Sequence, residues 1–187
     1  MIENDLADTA VHEAGHAVVA LVLGLPFEWV SIIPGDDSLG GVLGENPLFG
    51  TNPDAWIASE VLLAEKTVVY FLAGFAADSL IASISRETAL LAATLDTADA
   101  RYYADLLARQ PGSTLSRPQH VRQALVRAGV LVGICEDVVS DVVKALLRER
   151  RLSRARVEEI AAASPSVAQA RLLVEQWPRG PSAAATG

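Results

Sequence analysis

The chain has 187 residues, of which 51% are hydrophobic and 20% are charged, and its formal net charge at pH 7 is -8. This length fits a single domain and the apolar content can fill a core, which excludes a chain that is disordered over most of its length. The negative charge opposes binding to a phosphate backbone, so we expect no nucleic-acid partner.

The first predicted element is a helix with Asp5 or Asp8 as its cap and with Gly24 and Pro26 at its end. Its apolar residues recur at helical spacing: Ala10, Val11, Ala14, Val18 and Leu21. The apolar run over residues 17–25 is far shorter than the ~20 residues that cross a bilayer, and the acidic N-terminus is not typical of a secretory signal. We therefore expect no membrane span and a cytoplasmic location.

A small β ribbon is predicted directly after this helix. Residues 27–33 are β-branched and aromatic, residues 34–37 have the composition of a turn, and residues 39–43 can form a second short strand. Two short strands joined in this way form an antiparallel pair that needs a neighbouring element to cover one face. We expect the ribbon to pack beside the first helix.

Helices are predicted over the middle of the chain. One or two buried helices extend over residues 53–84, and polar residues such as Asp78 within the apolar stretch 67–84 favour a buried helix over a membrane span. A further helix over residues 97–110 begins at Asp96, and a proline and a glycine stop it.

The C-terminal part is also predicted to be helical. A broken pair of helices ends near residue 151, and a short helix follows with Ser153 as its cap. The basic run over residues 148–156 is interpreted as a solvated boundary between two helices. The single cysteine, Cys135, falls in an apolar stretch and is expected in the core.

The strongest functional signal is the sequence His12-Glu13-Ala14-Gly15-His16 in the first helix. Histidines four residues apart project from one face of a helix and can hold the same metal ion, while Glu13 points to the neighbouring side. Two imidazoles and a nearby general base are what zinc hydrolases use. The alternative is an amphipathic helix with ordinary polar residues. Two of the three histidines in the chain have this spacing, which favours a Zn²⁺ site.

A third metal ligand is needed, because catalytic zinc sites normally have three protein ligands and one open position. The remaining histidine, His120, lies at a predicted helix start, where a capping or solvent-facing role is more typical. The third ligand is therefore expected to be a carboxylate, and the residue types alone leave four candidates: Asp78, Glu87, Asp96 and Asp99.

The predicted fold class is mainly α, with a small β ribbon beside the metal-binding helix. We expect a single domain over residues 1–177, in which residues 1–110 hold the metal site and residues 111–177 form a C-terminal helical part. Residues 178–187 lack apolar periodicity and are predicted to be a disordered tail.

The sequence resembles the peptidase domain of the membrane-bound, ATP-dependent zinc proteases of the FtsH type. The resemblance is carried by residues 9–19, which contain the metal motif, and by residues 30–34 and 39–42, which form the strand and turn that follow it. Weaker similarity over residues 72–78, 96–100 and 146–160 extends it to about residues 5–160.

This resemblance implies roles for three acidic residues. It places the third zinc ligand at Asp99 and leaves Asp96 as the helix cap, although both carboxylates are also favoured at a helix start without any metal. Asp78 matches a family glutamate close to the metal, which implies a role in orienting a histidine. The alternative for Asp78 is a buried carboxylate paired with an arginine.

The family also binds its polypeptide substrate by pairing an extended segment with an edge strand beside the zinc. The resemblance assigns that edge to four residues: Leu39, Gly40, Gly41 and Val42. The alternative is a ribbon that only covers the core.

The resemblance implies a zinc-dependent metallopeptidase with Glu13 as general base, acting on unfolded or flexible polypeptides. The family's ATPase module has no counterpart here, since the chain contains no phosphate-binding glycine loop, so we expect ATP-independent cleavage. A separate ATPase is one conceivable partner. The alternative function is a non-proteolytic zinc-binding helical domain that binds a protein partner in the former substrate groove. The sequence leaves the oligomeric state open.

Overall fold

The long helix α1, Ile2–Leu23, is the central element of the protein. The structure is a computed structural model that describes residues 2–35, 39–82 and 94–177, with side chains from residue 6 onward. Between residues 10 and 23, every residue of α1 except His12 is buried. The predicted helix around the metal motif is therefore confirmed, and it is surrounded by other elements rather than lying on the surface.

The other helices follow the predicted order, and α2 and α3 divide the stretch that was expected to hold one or two helices. Their bounds are α2 (Ala58–Phe71), α3 (Ala73–Leu80), α4 (Thr94–Ala108), α5 (Arg117–Ile134), α6 (Glu136–Glu149), α7 (Arg154–Ala162) and α8 (Ser166–Glu175), with a short 3₁₀ helix at Pro53–Ala55. Cys135, between α5 and α6, is buried as expected. The side chain of Asp5, turn residues 36–38, Glu87 and the predicted tail over residues 178–187 lie outside the described residues.

A three-stranded antiparallel sheet lies beside α1. Its strands are β1 (Trp29–Ser31), β2 (Gly41–Leu43) and β3 (Arg151–Ser153), in the order β2-β1-β3. In the register, Val30 of β1 is opposite Val42 on one side and Leu152 on the other. The mainly α fold with a small ribbon is confirmed, but the third strand was not predicted.

The basic run forms part of this sheet instead of a simple boundary between helices. Leu152 is 1% exposed, and the guanidinium carbon of Arg151 lies 4.5 Å from the ring centroid of Trp29. Ser153 does cap α7 as predicted, because its hydroxyl accepts a hydrogen bond from the backbone N–H of Arg156. Within this run, Arg151 therefore packs on an aromatic ring and Leu152 packs in the core.

Three cations fix the C-terminal end of α1. Lys66 of α2 donates to the carbonyl of Leu23, and Arg171 of α8 donates to that of Leu21. Arg154 of α7 donates to the carbonyl of Leu25, just past the helix. Cations at a helix C-terminus complement its dipole. The helix that carries the metal motif is thus held by three separate elements.

The stretch Leu6–Leu23 of α1 has the length and apolar composition of a membrane span. The expectation of no membrane span considered only the shorter run within it. Of this stretch 72% is buried inside the protein, and a buried core helix meets the same criterion. The finding therefore does not distinguish the two cases.

Candidate metal centre

The two histidines of the motif converge as their spacing predicts. His12 and His16 lie one turn apart on α1, and their Nε2 atoms are 3.2 Å apart. The imidazole rings are 4.8 Å apart between centroids and meet edge to face. Both rings therefore direct one nitrogen to the same point.

The opposite nitrogen of each ring is held by an acceptor. His16 Nδ1 lies 2.9 Å from the backbone carbonyl oxygen of Tyr70, and His12 Nδ1 lies 2.8 Å from Asp78 Oδ2. Because a carbonyl and a carboxylate accept hydrogen bonds, each Nδ1 carries the proton and donates. In neutral forms with the proton on Nδ1, both imidazoles would present an Nε2 lone pair to the same point, which is the state that ligates metals.

Asp96, at the start of α4, completes the cluster. Its Oδ2 lies 3.0 Å from His12 Nε2 and 3.2 Å from His16 Nε2. Three acceptors at this separation repel one another unless a cation lies among them. Tetrahedral zinc with ligand bonds of about 2.0–2.2 Å separates its ligand atoms by about 3.3–3.6 Å, slightly more than these distances. Among the described residues, His12, His16 and Asp96 form the group that could hold a metal ion.

Asp99, the expected third ligand, lies outside this group. Thr94 already lies in helix α4, which was expected to start near residue 97, and Asp96 is an acidic residue of its first turn whose side chain reaches the histidines. Asp99 is exposed. Burial and then the charge of Asp96 raise the pKa of Asp99, which shows that it is a neighbour of the cluster.

Asp78 of α3 lies where the resemblance expects an orienting residue. It is 2% exposed and accepts the hydrogen bond from His12, and within the described chain it has no arginine partner. Its second oxygen, Oδ1, is buried and has no hydrogen-bond partner among the residues that the structure describes. The interpretation of Asp78 as half of an arginine ion pair is therefore not supported.

Two glycines allow α3 to approach α1 closely. A Cβ placed on Gly15 would lie 2.6 Å from the Cβ of Ala77, so only a glycine allows this approach of α3 to α1. A Cβ placed on Gly74 would lie 2.5 Å from ring atoms of both His12 and His16. Gly74 thus provides the space that the imidazoles occupy, a role that the sequence does not reveal.

Glu13 lies beside the cluster and next to the ribbon. It is 8% exposed, and burial raises its pKa although His16 and His12 act in the opposite direction. A Cβ placed on Gly40 would be 3.0 Å from Glu13 Cγ, so the chain just before β2 passes directly over this carboxylate.

The residues that the resemblance assigns to a substrate edge lie in strand β2 and directly before it. β2 is a terminal strand of the sheet, and among the described residues it pairs only with β1. Leu39 is 66% exposed, Val42 is half-buried, and Gly40 and Gly41 precede and begin the strand. The outer edge of β2 can accept another strand close to Glu13.

The ionisation of His12 and that of Asp96 depend on each other. Burial lowers the pKa of His12, but hydrogen bonds to Asp78 and Asp96 outweigh it and raise the pKa to about 10. Burial opposes ionisation of Asp96, yet the hydrogen bonds from His12 and His16 hold its pKa far below the usual range. In the metal-free protein, a proton on His12 therefore supplies the positive charge that offsets the nearby carboxylates.

His120 does not join this cluster. It is 9% exposed, and its Nε2 lies 3.3 Å from the hydroxyl of Ser113. The expected solvent-facing position is therefore wrong, because His120 is buried. Burial and then the charge of Arg127 lower its pKa. Ser116 directly precedes α5 and is its N-cap residue. The loop before α5, which contains Ser113, therefore lies against this histidine.

Comparison with protein-family models and with curated proteins gives no match to this chain. The FtsH-type resemblance therefore stays a prediction from the sequence. The geometry of the cluster is what indicates a function for this protein.

Proposed function

We propose that this protein is a zinc-dependent, ATP-independent metallopeptidase that hydrolyses peptide bonds of unfolded or flexible polypeptides. The observation that carries the proposal is the convergence of His12 Nε2, His16 Nε2 and Asp96 Oδ2 within 3.2 Å of one another, beside the buried carboxylate of Glu13. Three ligands leave a fourth position open, as in catalytic rather than structural zinc sites.

The donor set restricts the choice of metal. Two imidazoles and one carboxylate suit zinc, and the same set also binds iron(II) in some oxygenases. Glu13 favours the hydrolytic reading, because a buried carboxylate that does not belong to the ligand group is available as a base. When bound, zinc makes hydroxide available near neutral pH and polarises the carbonyl that is attacked.

The chain's own residues would perform the proton transfers. Glu13 accepts a proton from the attacking water and donates it to the leaving amine, and its raised pKa suits the acid half of this cycle. Asp78 and the carbonyl of Tyr70 fix the two imidazole orientations through their hydrogen bonds. No further group is needed to move the proton.

The terminal position of β2 in the described sheet supports a polypeptide substrate. An extended segment added to this edge would pass close to Glu13, because Gly40 lies against that side chain. Main-chain hydrogen bonds recognise any extended polypeptide with little dependence on its sequence. A folded protein cannot offer such a segment, which is why flexible substrates are proposed.

The test combines metal analysis with one substitution. Purified protein is expected to carry about one zinc per chain and to cleave casein without ATP, whereas Glu13→Gln keeps the zinc and loses cleavage. Glu28→Gln, an exposed glutamate between α1 and β1, is the matched control and should cleave normally. Bound zinc with no cleavage in the wild type would instead favour the non-proteolytic domain. Iron in place of zinc, or unchanged cleavage in Glu13→Gln, would overturn the proposal.

A further inference from the structure

A cavity of about 190 Å³ lies between the ribbon, the loop after β2 and the end of α2. Its apolar walls include Leu25, Phe27, Val42, Thr67, Tyr70 and Phe71. An apolar cavity of about 150 Å³ holds a benzene molecule. This cavity therefore has room for one leucine or phenylalanine side chain.

Tyr70 belongs both to this cavity and to the surroundings of the metal cluster. Its carbonyl accepts the hydrogen bond from His16 Nδ1, and its ring centroid lies 5.1 Å from that of His16. On another wall, Val42 belongs to the edge strand β2, which follows directly after the residue that lies against Glu13. The cavity therefore lies next to the cluster of His12, His16 and Asp96, on the side where the proposed substrate would pair with β2.

The outer wall of the cavity is fixed to the helix that carries Asp96. The amide nitrogen of Asn46, in the loop after β2, donates to the hydroxyl of Tyr103 at 2.6 Å. Tyr103 is in α4 and stacks on Phe71 at 6.0 Å between ring centroids. The cavity is therefore formed before any ligand arrives, which lowers the entropic cost of binding.

We propose that this cavity binds one apolar side chain of the substrate, next to the bond that is cleaved, and so gives the enzyme a preference for leucine-like residues at that position. The inference rests on the proposed peptidase function. A strand paired with β2 directs alternate side chains to one face, so one of them can enter beside Val42. An acidic side chain is disfavoured there, because many of the lining side chains are apolar and Glu45 also lines the cavity.

The first test needs neither metal nor cleavage. N-acetyl-leucinamide, titrated into metal-free protein, is expected to shift the NMR signals of Val42, Thr67 and Phe71, while N-acetyl-aspartamide does not. Val42→Phe fills the cavity and should abolish the shifts, and Thr67→Leu narrows it from α2 as an independent variant. Val126→Phe, on the exposed face of α5, is the matched control that should bind normally. No shifts in the wild type, or equal shifts with both amides, would overturn the proposal.

The second test places the cavity relative to the metal. In zinc-loaded protein, a hydroxamate that carries an isobutyl side chain should bind about tenfold or more tightly than acetohydroxamate, and Val42→Phe should remove the difference. Equal affinities in the wild type would contradict a cavity beside the reacting bond. Absence of zinc binding would instead overturn the proposed function, and the titration of metal-free protein would still decide whether the cavity binds an apolar side chain.

Discussion

Asp78 Oδ2 accepts a hydrogen bond of 2.8 Å from His12 Nδ1, on the side of the ring opposite to the nitrogen that faces Asp96. This contact fixes both the tautomer and the orientation of the imidazole. Because α3 contributes Asp78 and α1 contributes His12, the packing of these two helices determines how the His12 imidazole is presented to the candidate metal site.

Replacing Asp78 by asparagine is expected to weaken zinc binding by about 10–100-fold, because the amide cannot hold His12 in the same tautomer with the same charge. The isosteric change preserves packing, so the helical circular dichroism should stay as in the wild type. Zinc affinity is measured by competition with a chromogenic chelator. Asp141→Asn, an exposed aspartate on α6, is the control. Equal zinc affinity in Asp78→Asn would show that the hydrogen bond does not orient the ligand.

The stability of the metal-free protein should fall as the pH rises. Burial lowers the pKa of His12, but its hydrogen bonds to Asp78 and Asp96 raise it to about 10, whereas a histidine in the unfolded chain titrates near 6.5. Between these values the native state holds a proton that the unfolded state has lost, so the free energy of unfolding decreases with pH. Urea unfolding in the presence of a chelator measures this slope.

Two comparisons test whether His12 causes this pH dependence of stability. His12→Gln has no titrating group at this position and should lose most of the slope between about pH 6.5 and 10. Saturating zinc should reverse it, because zinc requires an unprotonated imidazole, and the loaded protein then loses stability on acidification. A metal-free wild type whose stability rises over this range would contradict the charge distribution described for the cluster.

Gly74 should tolerate no larger side chain. An added Cβ would lie 2.5 Å from the imidazoles of His12 and His16, so Gly74→Ala must displace them or separate α3 from α1. We expect a loss of about 1–3 kcal/mol in the free energy of unfolding and a clear loss of zinc affinity. Gly133→Ala is the matched control on α5, where an added Cβ meets nothing within 4 Å, and it should stabilise the helix by up to about 1 kcal/mol. Equal effects of the two substitutions would refute this reading.

The sequence predicts the parts of the fold that depend on local patterns. Helix α1 is recognised because its apolar residues recur along one continuous segment and because Gly24, with a φ of 72°, ends it. Strand β3 is missed because it has three residues, of which only Leu152 is buried, and because Arg151 belongs to a basic run that resembles a solvated surface. Its partners are more than a hundred residues away, and nothing local signals them.

The same distinction applies to the candidate site. His12, Glu13 and His16 are found because one helix fixes their relative directions, so the spacing alone determines the geometry. Tyr70 and Gly74 are not found, since their roles arise only when α2 and α3 pack against α1. The sequence offers no periodicity or motif that marks either residue.

The choice between two neighbouring aspartates on α4 gives the most direct test of the metal centre. Asp96 Oδ2 is 3.0 Å from His12 Nε2, whereas Asp99 is exposed and outside the group of ligand atoms. Asp96→Asn removes one of three ligands and should lower zinc affinity by at least about 100-fold, with loss of bound metal after dialysis. Asp99→Asn should keep one zinc per chain, since it only removes a nearby negative charge. If Asp99→Asn loses the metal and Asp96→Asn retains it, the ligand is the residue that the family resemblance indicates, and α4 must begin later in the metal-bound protein.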